Sequence, residues 1–215
     1  MTPKKVKEFF ARLRTQNPKP KGELNYTNNY TLLVAVVLSA QATDVSVNRA
    51  TEVLFKTVKT PKDMLKLGLT GLKRHIRTIG LYNAKAKNVI ALSQMLVERH
   101  ESSVPQTMEE LVQLPGVGRK TANVVLNAAF GHHTIAVDTH LFRVSNRTGL
   151  APGKTVRDVE DRLMKTVPPE YMQHAHHWLI LHGRYACKAR KPECPSCVVH
   201  DLCAWPLKTK EEEKA

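Results

Sequence analysis

Leu114-Pro115-Gly116-Val117-Gly118-Arg119-Lys120-Thr121-Ala122 reads as a tight turn followed at once by the start of a helix. Upstream, Thr107 and Glu110 stand at capping-box spacing, and Met108, Leu111 and Leu114 share one face of a short helix over 107–114. Pro115 and Gly116 stop that helix. Gly118 lets the backbone turn again, and Ala122, Val125, Leu126 and Ala129 carry a new 3.6-residue period from Arg119 to Phe130, with Gly131 as its C-cap. Two helices on so short a connection form a hairpin. Gly116, Val117, Gly118 and Arg119 bring backbone N–H groups to its tip, and such groups cradle a phosphate oxygen without reading sequence. Lys120 falls on the first turn of the second helix, where an amine suits nucleophilic chemistry. An ordinary interhelical turn with a surface lysine is written in the same letters, so the rest of the chain decides.

That rest is helical. The 3.6-residue period recurs over 5–15, 30–40, 44–57, 61–67, 70–78, 83–99, 139–147, 155–166 and 169–183, and strand alternation is missing, which predicts an all-α fold with short connections. Thr60-Pro61, Asn83 and the Thr155 to Asp158 box supply helix starts. Ile79-Gly80-Leu81-Tyr82-Asn83-Ala84-Lys85-Ala86 echoes the hairpin, and it would put apolar Leu81 at an exposed turn tip unless that side chain belongs to the core. With 33 Lys and Arg against 19 Asp and Glu, the 215-residue chain carries a formal charge of +14, which favours a polyanionic partner. Seven of those cations lie in residues 1–22 against Glu8 alone, and seven between Lys66 and Arg99 against Glu98 alone. The run Leu32 to Leu38 is too short to span a bilayer, and the start lacks the apolar core of a secretory signal, so an intracellular protein is expected. Val6, Phe9, Phe10 and Leu13 would pack the basic N-terminal arm as an amphipathic helix, whereas Lys208 to Ala215 reads as a frayed tail.

Two further features carry chemistry. Asp138, between Ile135-Ala136-Val137 and a helical segment, reads as an N-cap; near an amine, the same carboxylate would stabilise cationic charge or move a proton. All four cysteines, Cys187, Cys194, Cys197 and Cys203, fall in one C-x6-C-x2-C-x5-C segment. Thiols so grouped in an intracellular protein bind metal, and both structural zinc and an iron–sulfur cluster accept four thiolates, with zinc favoured by spacing alone. Lys191 and Arg190 sit in the first cysteine loop, where the metal could hold them against DNA. His174, His176, His177 and His182 crowd one helix without a ligating partner in register and read as packing or surface groups. Tyr26, Tyr30, Trp178 and Trp205 are too scattered to form a base-stacking platform.

Together the Lys120 hairpin, Val137-Asp138-Thr139-His140, the cysteine segment, Leu38-Ser39-Ala40-Gln41-Ala42-Thr43-Asp44 and Gly183-Arg184-Tyr185 resemble the endonuclease III family of helix-hairpin-helix DNA glycosylases. The resemblance implies an all-α fold of two helical domains flanking a DNA-binding cleft: a six-helix domain over 23–134, and a cluster domain of 1–22 plus 135–215. It implies one 4Fe–4S cluster on the four cysteines in place of zinc. It implies excision of oxidised or ring-saturated pyrimidines from duplex DNA and cleavage at the abasic site, by a monomer at the cytoplasmic nucleoid. Lys120 would be the nucleophile and Asp138 its carboxylate partner, while Gln41 and Leu81 would fill the gap left by a flipped nucleotide. The other readings are a monofunctional adenine glycosylase, which lacks the nucleophilic lysine and carries a further C-terminal domain beyond the equivalent of Ala215, and a non-catalytic metal-containing DNA-binding module.

Overall fold

The computed structural model describes residues 1–210, and among them it contains no strand. Its helices are α1 (Pro3–Gln16), α2 (Asn29–Ser39), α3 (Asp44–Thr57), α4 (Pro61–Ile76), α5 (Tyr82–Arg99), α6 (Met108–Leu111), α7 (Arg119–Phe130), α8 (Thr139–Thr148), α9 (Val156–Thr166) and α10 (Pro169–Tyr185), followed by a single 3₁₀ turn at His200–Leu202. The chain falls into two compact units, Glu23–His132 and Met1–Gly22 together with the chain from His133 onward. None of the described helices is long and apolar enough to cross a membrane.

The Glu23–His132 unit is built around α2, whose residues from Tyr30 to Leu38 are all buried. A helix apolar on every side must sit inside, and α3, α5 and α7 pack around it. Asn28 and Thr31 cap it reciprocally, and Tyr30 shares a 2.7 Å hydrogen bond with Ser93 of α5 inside the core. Truncating a side chain such as Leu33 or Leu38, each fully buried, costs about 2–5 kcal/mol. Within α4 the backbone breaks at Gly68 (φ 72°, ψ 171°), a conformation that only glycine adopts readily, so two helical pieces meet there.

The other unit is completed by the N-terminal segment. Val6, Phe9, Phe10 and Leu13 line the buried face of α1 at helical spacing. Phe10 stacks on Tyr171 of α10 at 5.6 Å, and the Trp178 indole donates to the Asn17 carbonyl at 2.7 Å. Arg12 grips Asp201 through both oxygens, at 2.6 and 3.1 Å, tying α1 to the 3₁₀ turn. The start of the expected tail is anchored as well: Lys208 donates to the His200 carbonyl and Thr209 to that of Pro192. Residues 211–215 of that tail lie outside the described residues.

Two local expectations change. The helix expected over 107–114 is regular only from Met108 to Leu111, after which i→i+3 bonds to Gln113 and Leu114 tighten the chain into the hairpin. The Thr107 hydroxyl accepts from Glu110 N but gives its own proton to the Glu110 carboxylate at 2.6 Å, so only half of the capping box forms. Asn83 is not a cap, because α5 starts one residue earlier, from Leu81 in the left-handed conformation.

Candidate active site and metal centre

In the hairpin, Leu114 to Val117 form a turn closed by a 3.0 Å bond from Val117 N to the Leu114 carbonyl. Pro115 stands second and Gly116, at φ +79°, third, which is the residue order of a type II turn. A Cβ on Gly116 would come within 2.9 Å of Asn88 on α5, so glycine is required there by both backbone and packing. Gly118 is different. Its φ of −93° suits any residue and a Cβ would meet nothing within 4 Å. It is the N-cap of α7 and supplies no side-chain cap to the helix's first amides, and Arg119 and Lys120 after it are exposed. Val117 is buried and anchors the tip to the core. At the other end Gly131 (φ 72°) closes α7, and the amide of His132 reaches back to the Leu126 carbonyl.

The echoing segment makes a second turn, with Ile79 buried and Leu81 63% exposed at φ +60°. A branched aliphatic side chain held at a tip in the left-handed region is both strained and solvated, which core packing does not explain. Gln41, after α2, is likewise exposed at φ +53°. The echo does not extend to the lysine. Lys85 is only 5% exposed, its amine has no hydrogen-bond partner, and burial pushes its pKa below the ordinary lysine value.

Asp138 is the N-cap of α8, and its Oδ1 accepts from His140 N at 2.8 Å and Leu141 N at 2.9 Å. It lies in the unit that holds the cysteines; Lys120 lies in the other. All four cysteines border one hollow, together with Thr148, His182, Val199 and Trp205. Four thiols around one hollow are the donor set that an iron–sulfur cluster or a structural zinc takes, so the residues present fit such a group. Burial pushes the thiols of Cys197 and Cys203 up, and coordination to a cation is what holds such groups as thiolates. Lys191 sits exposed at φ +46° in the loop between Cys187 and Cys194.

Two residues in contact with the cysteines escape a reading of the sequence. Arg147, in the last turn of α8, donates to the carbonyls of Lys188 and Ala189, points Nη1 at Cys187 Sγ at 3.8 Å, and stacks on Trp205 at 4.1 Å. His182, which the helical crowd of histidines makes look like a packing group, is buried with Nε2 3.8 Å from Cys197 Sγ, and burial brings its pKa down to about 4. Nothing in the residue types marks either. Only the packing of α8 on α10 brings Arg147 to a segment 40 residues away.

Comparison with known proteins accounts for both regions. Residues 34–169 match the HhH-GPD superfamily of base excision DNA repair proteins, and residues 187–203, from the first cysteine to the last, match the iron–sulfur binding domain of endonuclease III. The chain is 59% identical over 198 residues to endonuclease III of Escherichia coli K12, covering 92% of this chain and 94% of that protein. To endonuclease III of Treponema pallidum it is 54% identical over 200 residues, covering 93% and 95%. A solved endonuclease III–DNA covalent intermediate with an estranged adenine is similar at a TM-score of 0.88 and 45% identity, over 95% of this chain and 96% of that one. A thermostable thymine-DNA glycosylase shares the fold at a TM-score of 0.83 and 24% identity, over 94% and 96%. The metal group is therefore one 4Fe–4S cluster, and the zinc favoured by spacing alone is set aside. The chain belongs to the endonuclease III family of helix-hairpin-helix base excision repair enzymes, which are DNA glycosylases and AP lyases.

Proposed function

We propose that this DNA glycosylase and AP lyase removes oxidised or ring-saturated pyrimidines from duplex DNA with Lys120 as its nucleophile and Asp138 as the assisting carboxylate, working as a monomer at the nucleoid. The observation that carries the reading is the exposed Lys120 on the first turn of an uncapped helix, directly behind a glycine turn. The uncapped amides and Arg119 hold a backbone phosphate, which fixes the DNA strand relative to the lysine. Chemistry on a base requires it to leave the stack, and damage lowers the flipping cost of a few kcal/mol. Gln41 and Leu81, both projecting from left-handed backbone, fill the space that the extruded nucleotide leaves.

The neutral amine of Lys120 attacks C1′, and the glycosidic bond breaks with its electron pair leaving on the base. Loss of a proton from nitrogen and opening of the sugar ring give a Schiff base. Its cationic nitrogen acidifies the C2′ hydrogen. Removal of that proton expels the 3′ phosphate by breaking C3′–O, so the strand is cut on the 3′ side. Asp138, pinned through Oδ1 by two amides, offsets positive charge on the sugar and takes part in the proton transfers. No electron is gained or lost in either step. Cys187, Cys194, Cys197 and Cys203 would hold the 4Fe–4S cluster, which would fix the loop between the first two of them so that Arg190 and Lys191 meet a further phosphate.

Borohydride reduction tests the nucleophile. Wild-type protein mixed with duplex DNA bearing an oxidised pyrimidine should be trapped as a covalent adduct, whereas Lys120→Gln should bind the duplex without adduct or strand cleavage. Trapping that persists in K120Q would move the nucleophile elsewhere. A wild-type protein that releases the base without any adduct would replace the lyase reading with a monofunctional one.

A further inference from the structure

Two of the four thiols at the cysteine hollow are approached by side-chain nitrogens from different helices. Arg147 of α8 directs Nη1 toward Cys187 Sγ, while the same guanidinium is locked by two loop carbonyls and by the face of Trp205. His182 of α10 brings Nε2 to Cys197 Sγ from within the core, where its ring meets the edge of Phe9 at 6.3 Å. The His182 carbonyl also accepts the amides of Ala186 and Cys187, at 3.0 and 2.7 Å, which fixes the end of α10 to the first cysteine. Neither nitrogen therefore has room to wander.

We infer that Arg147 and His182 are the residues that set the reduction potential of the 4Fe–4S cluster, each donating an N–H···S bond to one ligand thiolate, Cys187 and Cys197 respectively. The inference rests on the reading that the four cysteines hold the cluster. A donor proton facing a thiolate stabilises the more negative charge state of the cluster, so each such bond raises the potential. His182 acts as a neutral donor, and Arg147 adds a fixed positive charge to its hydrogen bond. Both are positioning residues: they touch the ligands and take no part in bond cleavage on DNA.

Voltammetry of the DNA-free holoprotein tests this, with the electrode supplying or taking the one electron of the couple. Iron content and visible absorption are read first. A wild-type protein without four irons would defeat the cluster-ligand reading itself and is distinguishable from any result on potential. His182→Phe keeps the aromatic packing and removes the donor, and its potential should move to more negative values with four irons retained. His182→Gln, which restores an N–H, should return toward the wild-type value. Arg147→Met should also shift the potential negative, and the double variant further than either. An iron-replete H182F at the wild-type potential overturns the inference. Should H182F fail to hold four irons, the wild-type holoprotein with ¹⁵N-labelled histidine decides: hyperfine coupling of an imidazole nitrogen to the paramagnetic cluster is expected, and its absence refutes the His182 bond.

Discussion

The two hairpin glycines look alike in the sequence but do different work. At Gly116 the left-handed backbone costs a residue with a Cβ about 1–2 kcal/mol, and that Cβ would press on Asn88 at 2.9 Å. Gly116→Ala should therefore destabilise the protein by about 1–3 kcal/mol in urea unfolding, and weakened DNA binding would follow from the distorted turn. Gly118 has the extended backbone of an ordinary N-cap and open space where a side chain would go. A serine there should accept a hydrogen bond from the amide of Lys120 or Thr121, and removing glycine also stiffens the unfolded chain. Gly118→Ser should leave stability unchanged or raise it by about 0.5–1 kcal/mol. Its affinity for a duplex with an abasic-site analogue should nonetheless fall if the proposed phosphate contact holds, because the hydroxyl would occupy the amides that contact uses. A stabilised G118S that binds like wild type would mean those amides do not meet the DNA. The left-handed Leu81 shows the same conflict between local comfort and exposure.

At the level of elements, what is legible in the sequence is what short-range chemistry decides. Pro-Gly, the glycine C-cap at 131, the Thr60 and Thr155 boxes and the 3.6-residue stripes each act within a few residues, and the helices they predict are present. The misread start of α5 arises because Asn83 is a good capping residue by type, while the chain reverses through Leu81 instead. The four cysteines stand out as a segment, but their nitrogen neighbours do not, since Arg147 and His182 acquire meaning only once α8 lies on α10. Helix α10 also carries an acid-sensitive group that its sequence does not reveal. His177 is half-buried with its Nδ1 buried and unpartnered, and burial first, then His174, holds its pKa below 6.5. Its folded pKa lies below the unfolded value, so the folded state gives up its proton first. The associated stability is complete above pH 6.5 and drains away as pH falls from there toward the folded pKa, at up to about 1.4 kcal/mol per pH unit. Urea midpoints should thus drop between pH 7.5 and 5.5, and His177→Gln should make the drop smaller, leaving the part that buried His182, with its pKa of about 4, contributes. An equal drop in that variant would assign the acid sensitivity to other groups.

For the whole molecule, the net charge predicts how DNA affinity responds to salt. A formal charge of +14 is spread over both units: Lys4, Lys5, Lys7 and the cysteine-loop cations lie in one, and Arg74, Arg77, Lys87, Arg119 and Lys120 in the other. All but Lys188 of the cysteine-loop cations are exposed, and so are the five of the second unit. Each phosphate neutralised by such a cation releases counterions and adds about −0.9 to the slope of log K against log salt. Four to six phosphate contacts predict that affinity for undamaged duplex falls about 150- to 2000-fold between 50 and 200 mM salt. Lys191→Ala and Arg119→Ala should each make the slope shallower by about 1 if each holds one phosphate, and the pair should be additive because the residues belong to separate units. Unfolding midpoints of both variants are measured alongside, which separates any change in stability from the loss of a phosphate contact. A slope that stays the same in R119A would detach the hairpin from the DNA backbone and leave Lys120 without the strand contact that positions it. A slope lowered in R119A but not in K191A would keep the hairpin and remove the cysteine loop from the DNA-binding surface.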